Sequence, residues 1–196
     1  NSLLPPLLLL QKRVEMRSSP LSSDGSPDDS PEPVHIVTRC AEDTRRLASA
    51  ITPVLKPGDV IVLAGDLGAG KTTFVQGLGA GLGVNEPITS PTFILMKEYL
   101  GRFPLLHLDV YRLSGVQELL DLGYDEFLAP HIVAVEWGDV VEPMLPRDHL
   151  KVELKAMADD DERSVMLIGT GQTWDIRMKT MQTLISGLFD EPRGDA

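Results

Sequence analysis

The sequence predicts an α/β protein: a three-layer sandwich of the P-loop NTPase kind, with a mainly parallel sheet and an antiparallel hairpin at one edge. Three observations predict it. Two stretches, VIVLA (60–64) and HIVAVEW (131–137), are apolar over a strand's length, as expected for parallel strands covered on both faces. Strand-like and helix-like periods interleave along the chain. The turn after the first apolar stretch, GDLGAGKT (65–72), fits G-x-x-x-x-G-K-[ST] in full, with a strand before it and a helix after it.

The elements follow in order. Residues 17–33, RSSPLSSDGSPDDSPEP, are nearly all Ser, Pro, Asp and Gly and bury too little apolar surface to offset their ordering entropy. Residues 1–33 therefore read as a disordered leader. The apolar run at its start is short, is broken by Pro5 and Pro6 and has no positive segment before it, so it reads as non-secretory, and Met16 is an alternative start. VHIVT (34–38) alternates as a strand does, and Ala41 to Leu55 carries Leu47, Ala48, Ile51, Val54 and Leu55 on one helical face. Pro57-Gly58-Asp59 is a turn into VIVLA. A helix from Lys71 to Leu82 ends at Gly83. TFILMKEY (92–99) and PLLHLDVY (104–111) read as strands, and Ser114 caps a helix over VQELLDLG. KVELKAM (151–157) and RSVMLIGT (163–170) alternate as a hairpin, with the acidic run 158–162 as its solvated turn. The segment 173–189 reads as a terminal helix with Trp174, Met178, Met181, Leu184, Ile185 and Leu188 on its core face. The organisation is thus 1–33 leader, 34–171 P-loop domain, and 172–196 C-terminal helix and tail.

Composition excludes some functions. The net charge is −11, about −9 of it outside the leader, so the body repels phosphate backbones and any nucleic-acid role passes through a basic partner. No run approaches 18 apolar residues, which predicts no membrane span. Cys40 is the single cysteine, so no intrachain disulfide forms, in keeping with a cytoplasmic protein. It reads as a small buried hydrophobe.

The chemistry centres on the glycine loop. Gly68 and Gly70, with Asp66, Leu67 and Ala69 between and around them, let backbone N–H groups wrap phosphates without side-chain obstruction. The following helix adds the partial positive charge of its N-terminus. Lys71 is a point charge for the outer phosphates, Thr72 offers a hydroxyl to Mg2+, and Thr73 one to the α-phosphate. An acid is needed nearby at the end of an apolar strand. Asp109 and Glu136 both qualify: one could hold metal while the other orients the attacking water, and residue physics leaves their roles open. ITSPTF (88–93) sits where a loop could sense the γ-phosphate. His107, flanked by Leu106 and Leu108, reads as a satisfied buried histidine. Arg112 reads equally well as a finger for transition-state charge or as a partner for a carboxylate.

Together GDLGAGKTTF, ITSPTF, HLDVYRL (107–113) and VEWGD (135–139), in this order, resemble the TsaE family, also called YjeE. The resemblance spans about 34–171. AEDTRRLA (41–48) and ELLDLGYDEFL (118–128) match as well. It implies an ATPase in tRNA threonylcarbamoyladenosine formation, with ATP on the glycine loop, Mg2+ held by Thr72 and Glu136, and Asp109 acting in hydrolysis beside Lys71. It also implies nucleotide contacts from Thr44, Trp137 and Arg163, and partnership with TsaB and TsaD, the latter modifying adenosine 37 of tRNAs that read ANN codons. The leader and the long tail depart from the family pattern.

Rival classes weigh less. A small-molecule kinase needs an arginine-bearing lid, and a GTPase switch needs N-K-x-D to read guanine; neither is evident. Asp109 and Glu136 argue against a nucleotide-sensing scaffold that does not hydrolyse, which stays the alternative beside the kinase.

Overall fold

The computed structural model describes residues 32–91, 96–111 and 128–188. Its strands are β1 (Val34–Thr38), β2 (Val60–Ala64), β3 (Met96–Tyr99), β4 (Leu105–Asp109), β5 (Ile132–Glu136), β6 (His149–Ala156) and β7 (Arg163–Thr170). Its helices are α1 (Ala41–Ile51), α2 (Lys71–Leu82) and α3 (Thr173–Ser186). One seven-stranded sheet runs in the order β1-β7-β6-β2-β5-β4-β3. Its centre, β6-β2-β5-β4, is parallel throughout. The expected hairpin is β6 with β7, and its acidic turn is exposed. Antiparallel pairing is not confined to that edge: β3 returns against β4 on the opposite side, and β1 lies outside β7.

Burial sorts residues by alternation along each strand, because successive side chains point to opposite faces. On β2, Ile61 and Leu63 join the cluster formed with Leu47, Phe74, Leu78, Trp174 and Met181 from the helices. Val60 and Val62 join the other, with Leu106, Leu108, Val133 and Val135. All three described helices thus sit on one face. Among the described residues the second face is covered by Leu128, Trp137 and two short 3-10 turns, Gly138–Val140 and Glu142–Met144, through Val141, Met144 and Leu145. The helix predicted over 116–123 lies outside the described residues, as do the readings of 1–31, of 92–95 and of Arg112.

Two predicted helices are shorter than expected. The first ends at Ile51 and passes into a 3-10 turn over Thr52–Val54. Pro53 is the cause, since it has no N–H to continue the α-helical ladder and its ring crowds the preceding turn. The last ends at Ser186. Its core stripe is Trp174, Met178, Met181 and Ile185, while Leu184 turns to solvent at 38% exposure.

Helices α1 and α2 approach closely because α2 carries Gly77. A Cβ there would lie 2.3 Å from the Arg45 carbonyl oxygen and 2.7 Å from the Ala48 Cβ. Alanine is normally the better helix residue by about 1 kcal/mol. Here the clash with fixed backbone wins, and Gly77→Ala is expected to lower stability by about 1–3 kcal/mol. Urea denaturation checks it; an unchanged or higher midpoint would mean that the helices part freely.

Candidate functional site

Parallel strands deliver their carboxyl ends to one edge of the sheet, where an open α/β fold gathers its polar loops. Here β2 runs into the glycine loop, β4 ends in Asp109 and β5 in Glu136. Asp109 and Glu136 are register partners on adjacent strands, so two buried carboxylates stand side by side.

The glycine loop is moulded against β6. Gly65 has φ of +142°, and a Cβ on it would fall 2.2 Å from the Leu154 carbonyl oxygen, so only glycine fits. Ala69 N–H donates to Asp66 O at 3.1 Å, and Phe74 N–H donates to Gly70 O at 2.9 Å, which starts α2. Asp66, Leu67 and Gly68 are exposed, Leu67 to 87%, whereas Ala69 is buried and Gly70 half-buried. Thr73 is half-buried beside Thr72.

Lys71 is folded back into the mouth of its own loop. Its ammonium donates to Gly65 O at 2.6 Å and to Asp66 O at 2.8 Å. It also lies 3.5 Å from the centroid of the Trp137 ring, a cation–π contact. Burial pushes its pKa below the ordinary lysine range, against the pull of Glu136, Asp109, Asp139 and Asp66. Trp137 has φ of +60°, the left-handed region, alone among the described residues other than glycine. That conformation is sparsely populated and persists only when the surroundings impose it. Tyr111 packs on the Trp137 ring with centroids 4.7 Å apart.

Each acid has its own donors. The Thr72 hydroxyl donates to Glu136 Oε1 at 2.7 Å, and His107 Nε2 lies 2.8 Å from the same oxygen. Asp109 accepts from Ser90 Oγ at 2.6 Å through Oδ2 and from Tyr111 N–H at 3.1 Å through Oδ1. The 88–91 part of the predicted sensing loop therefore touches the second acid directly. Among the described residues no three His, Cys, Asp or Glu side chains converge as a metal cage, so a cation here would need ligand oxygens besides the protein's.

Arg163 reaches the loop from β7: its guanidinium donates to Gly68 O at 3.4 Å and to the carbonyls of Asp160 and Glu162 at 2.6 and 2.8 Å. Thr44 lies on α1. It is 2% exposed, and its hydroxyl is within 2.8 Å of Thr38 Oγ1 and 3.4 Å of Cys40 O. Thr38 is in turn the register partner of Arg163, so Thr44 touches the site at one remove. Cys40 is half-exposed at the N-cap of α1 rather than buried. His107 is fully buried as expected but not fully satisfied, because its Nδ1 has no partner among the described residues. Sequence reasoning gave no role to Tyr111, and only its place two residues after Asp109 hinted at one.

These features define a class: a mixed α/β protein with a polar, glycine-framed site at the carboxyl ends of its central parallel strands. The model of the family "Threonylcarbamoyl adenosine biosynthesis protein TsaE" matches residues 38–165, and the chain belongs to that family. It is 42% identical over 137 residues to the tRNA threonylcarbamoyladenosine biosynthesis protein TsaE of Bacillus subtilis, a match covering 69% of this chain and 85% of that one. To the TsaE of Treponema pallidum it is 44% identical over 124 residues, covering 63% and 92%. Among solved structures it is similar to Bacillus subtilis YdiB, with a TM-score of 0.66 and 34% identity over 78% of this chain and 95% of that one. No helix among the described residues is long and apolar enough to cross a membrane.

Proposed function

We propose that this chain is the ATP-hydrolysing component of the cytoplasmic machinery that forms threonylcarbamoyladenosine at position 37 of ANN-decoding tRNAs, and that it supports turnover of a TsaB–TsaD complex. The observation that carries the ATPase part is the meeting of Thr72 and Glu136 at the end of a complete P-loop, with Lys71 drawn into the loop's mouth. In this reading the loop is a phosphate cradle. Lys71 exchanges the carbonyls of Gly65 and Asp66 for phosphate oxygens, which carry full charge and bind an ammonium more strongly. Arg163 stands at the outer wall of the same loop.

The residues suit Mg2+. That ion takes hard oxygen ligands and is usually held by one or two carboxylates together with substrate phosphates. Thr72 Oγ1 and Glu136 Oε1 are 2.7 Å apart. Neighbouring ligands of an octahedral Mg2+ lie about 2.9 Å apart, given bonds of about 2.0–2.1 Å. When bound, the ion would neutralise charge on the phosphates. In this reading Asp109, held by Ser90 and Tyr111 beside Glu136, orients the attacking water. The acidic surface fits a protein that supplies ATP turnover and leaves RNA to its partners.

Binding can be read directly from Trp137. The chain has two tryptophans, and Trp174 is 1% exposed in the core. Mg-ATP that draws Lys71 off the Trp137 ring is expected to change tryptophan fluorescence, and Trp137→Phe is expected to abolish the change. Phosphate release is then measured with and without TsaB, TsaD and tRNA: slow turnover alone and a rise with partners are expected. A rate that partners leave unchanged would overturn the coupled role, and a chain that binds no Mg-ATP would overturn the ATPase role.

A further inference from the structure

We infer that His107 is a positioning residue that holds Glu136 in its metal-binding orientation. The inference rests on the Mg-ATP reading above and adds a residue to it. His107 is completely buried in the middle of β4, one of the central parallel strands. Its register partner on β5 is Ala134, whose small side chain leaves the imidazole room on the helix-covered face. From there the ring reaches diagonally to Glu136, with Nε2 2.8 Å from Oε1. An ionised carboxylate only accepts, so Nε2 is the donor. Tyr99, also fully buried, lies beside the ring, with centroids 6.4 Å apart.

Two details distinguish this from ordinary core packing. Among the described residues His107 Nδ1 is buried without a partner. A leucine in this otherwise apolar strand would fill similar space and leave no nitrogen orphaned, so the imidazole is disfavoured for packing alone. Its one polar contact among the described residues goes to the carboxylate that also accepts from Thr72. Oε1 is thus fixed from two sides, by a hydroxyl at the start of α2 and by an imidazole within the sheet. Partners behind a metal ligand fix its orientation, and losing one typically lowers metal affinity by about 10–100-fold.

The test uses Mn2+ and ADP with the full chain. Affinity for ADP is measured in EDTA, and affinity of the ADP complex for Mn2+ by electron paramagnetic resonance. His107→Leu is expected to weaken Mn2+ at least about tenfold while leaving metal-free ADP affinity within about twofold. His107→Gln, whose amide Nε2 can donate from nearly the same place, is expected to recover most of the loss. Equal Mn2+ affinity in the parent and His107→Leu would overturn the inference, as would an equal fall in metal-free ADP binding or no rescue by Gln. A parent that binds ADP but no Mn2+ would overturn the metal reading itself, a separate failure. If His107→Leu does not fold, the imidazole nitrogens of the unsubstituted chain are followed by 15N NMR as Mg2+ is added to the ADP complex. A shift at Nε2 larger than at Nδ1 supports the role, and an imidazole that ignores the metal overturns it.

Discussion

Asp109→Asn is expected to lower ATP turnover at least about a hundredfold while leaving Mg-ATP affinity within about threefold, the size of loss typical of a removed general base. The substitution is chosen for what it keeps. The amide oxygen still accepts from Tyr111 N–H, and the amide nitrogen can donate to Ser90 Oγ, so both contacts of the parent survive. What disappears is the carboxylate charge and its capacity to take a proton from water. Asp109 is buried at 4% exposure, and the neighbouring Glu136 is already held by Thr72 and His107. Glu136 therefore has little freedom to take over. Single-turnover phosphate release measures the chemistry and Trp137 fluorescence the binding. Hydrolysis near the parental rate would remove Asp109 from the reaction, and a parallel collapse of affinity would make it a binding residue instead.

What the sequence revealed was local, and what it concealed was relational. The glycine loop is legible because its residues are consecutive and each does its work through its own backbone or side chain. Strands β2 and β5 are legible because burial on both faces leaves an unbroken apolar stretch. The end of α1 was knowable from Pro53 but was overridden by the apolar face continuing through Val54 and Leu55. The pairing of Asp109 with Glu136 depends on the register of two strands separated by more than twenty residues, which no spacing within either strand reports. His107 was legible only in part for the same reason. Its flanking leucines correctly placed it in the core, yet its chemistry comes from a residue on the next strand. The gathering of all three described helices on one face is likewise a tertiary fact, since a fully apolar strand gives no sign of which side takes which element. The family motifs compensated where periodicity could not, because they name residues that meet in space.

Arg177→Ala is expected to cost about 3–5 kcal/mol of stability, the range found when one partner of a buried ion pair is removed. Arg177 projects from α3 to the turn that precedes β2. Its guanidinium forms a two-pronged ion pair with Asp59, with Nη1 to Oδ1 at 2.9 Å, and donates through Nε and Nη2 to the Val54 carbonyl at 3.0 and 2.6 Å. It also lies over the Trp174 ring, 3.9 Å from the centroid. Asp59 is 6% exposed, and without Arg177 it keeps only the Lys56 N–H, at 2.8 Å, as a donor to its carboxylate. A buried carboxylate left without its cation is the costly outcome; the pair itself is worth far less. Arg177→Met with Asp59→Asn should therefore lose clearly less than the two single changes added together. For a chain of this size the single change corresponds to a fall in Tm of roughly 10 °C. The shape of the transition decides a further point. Trp174, Met178 and Met181 share one apolar cluster with α1, α2 and the sheet, so α3 should unfold with them in a single step. An unfolding free energy from urea denaturation within about 1 kcal/mol of the parent would show that the ion pair contributes little. An early separate transition would show that the segment from 172 onward folds as its own unit and is not part of the platform that carries the glycine loop.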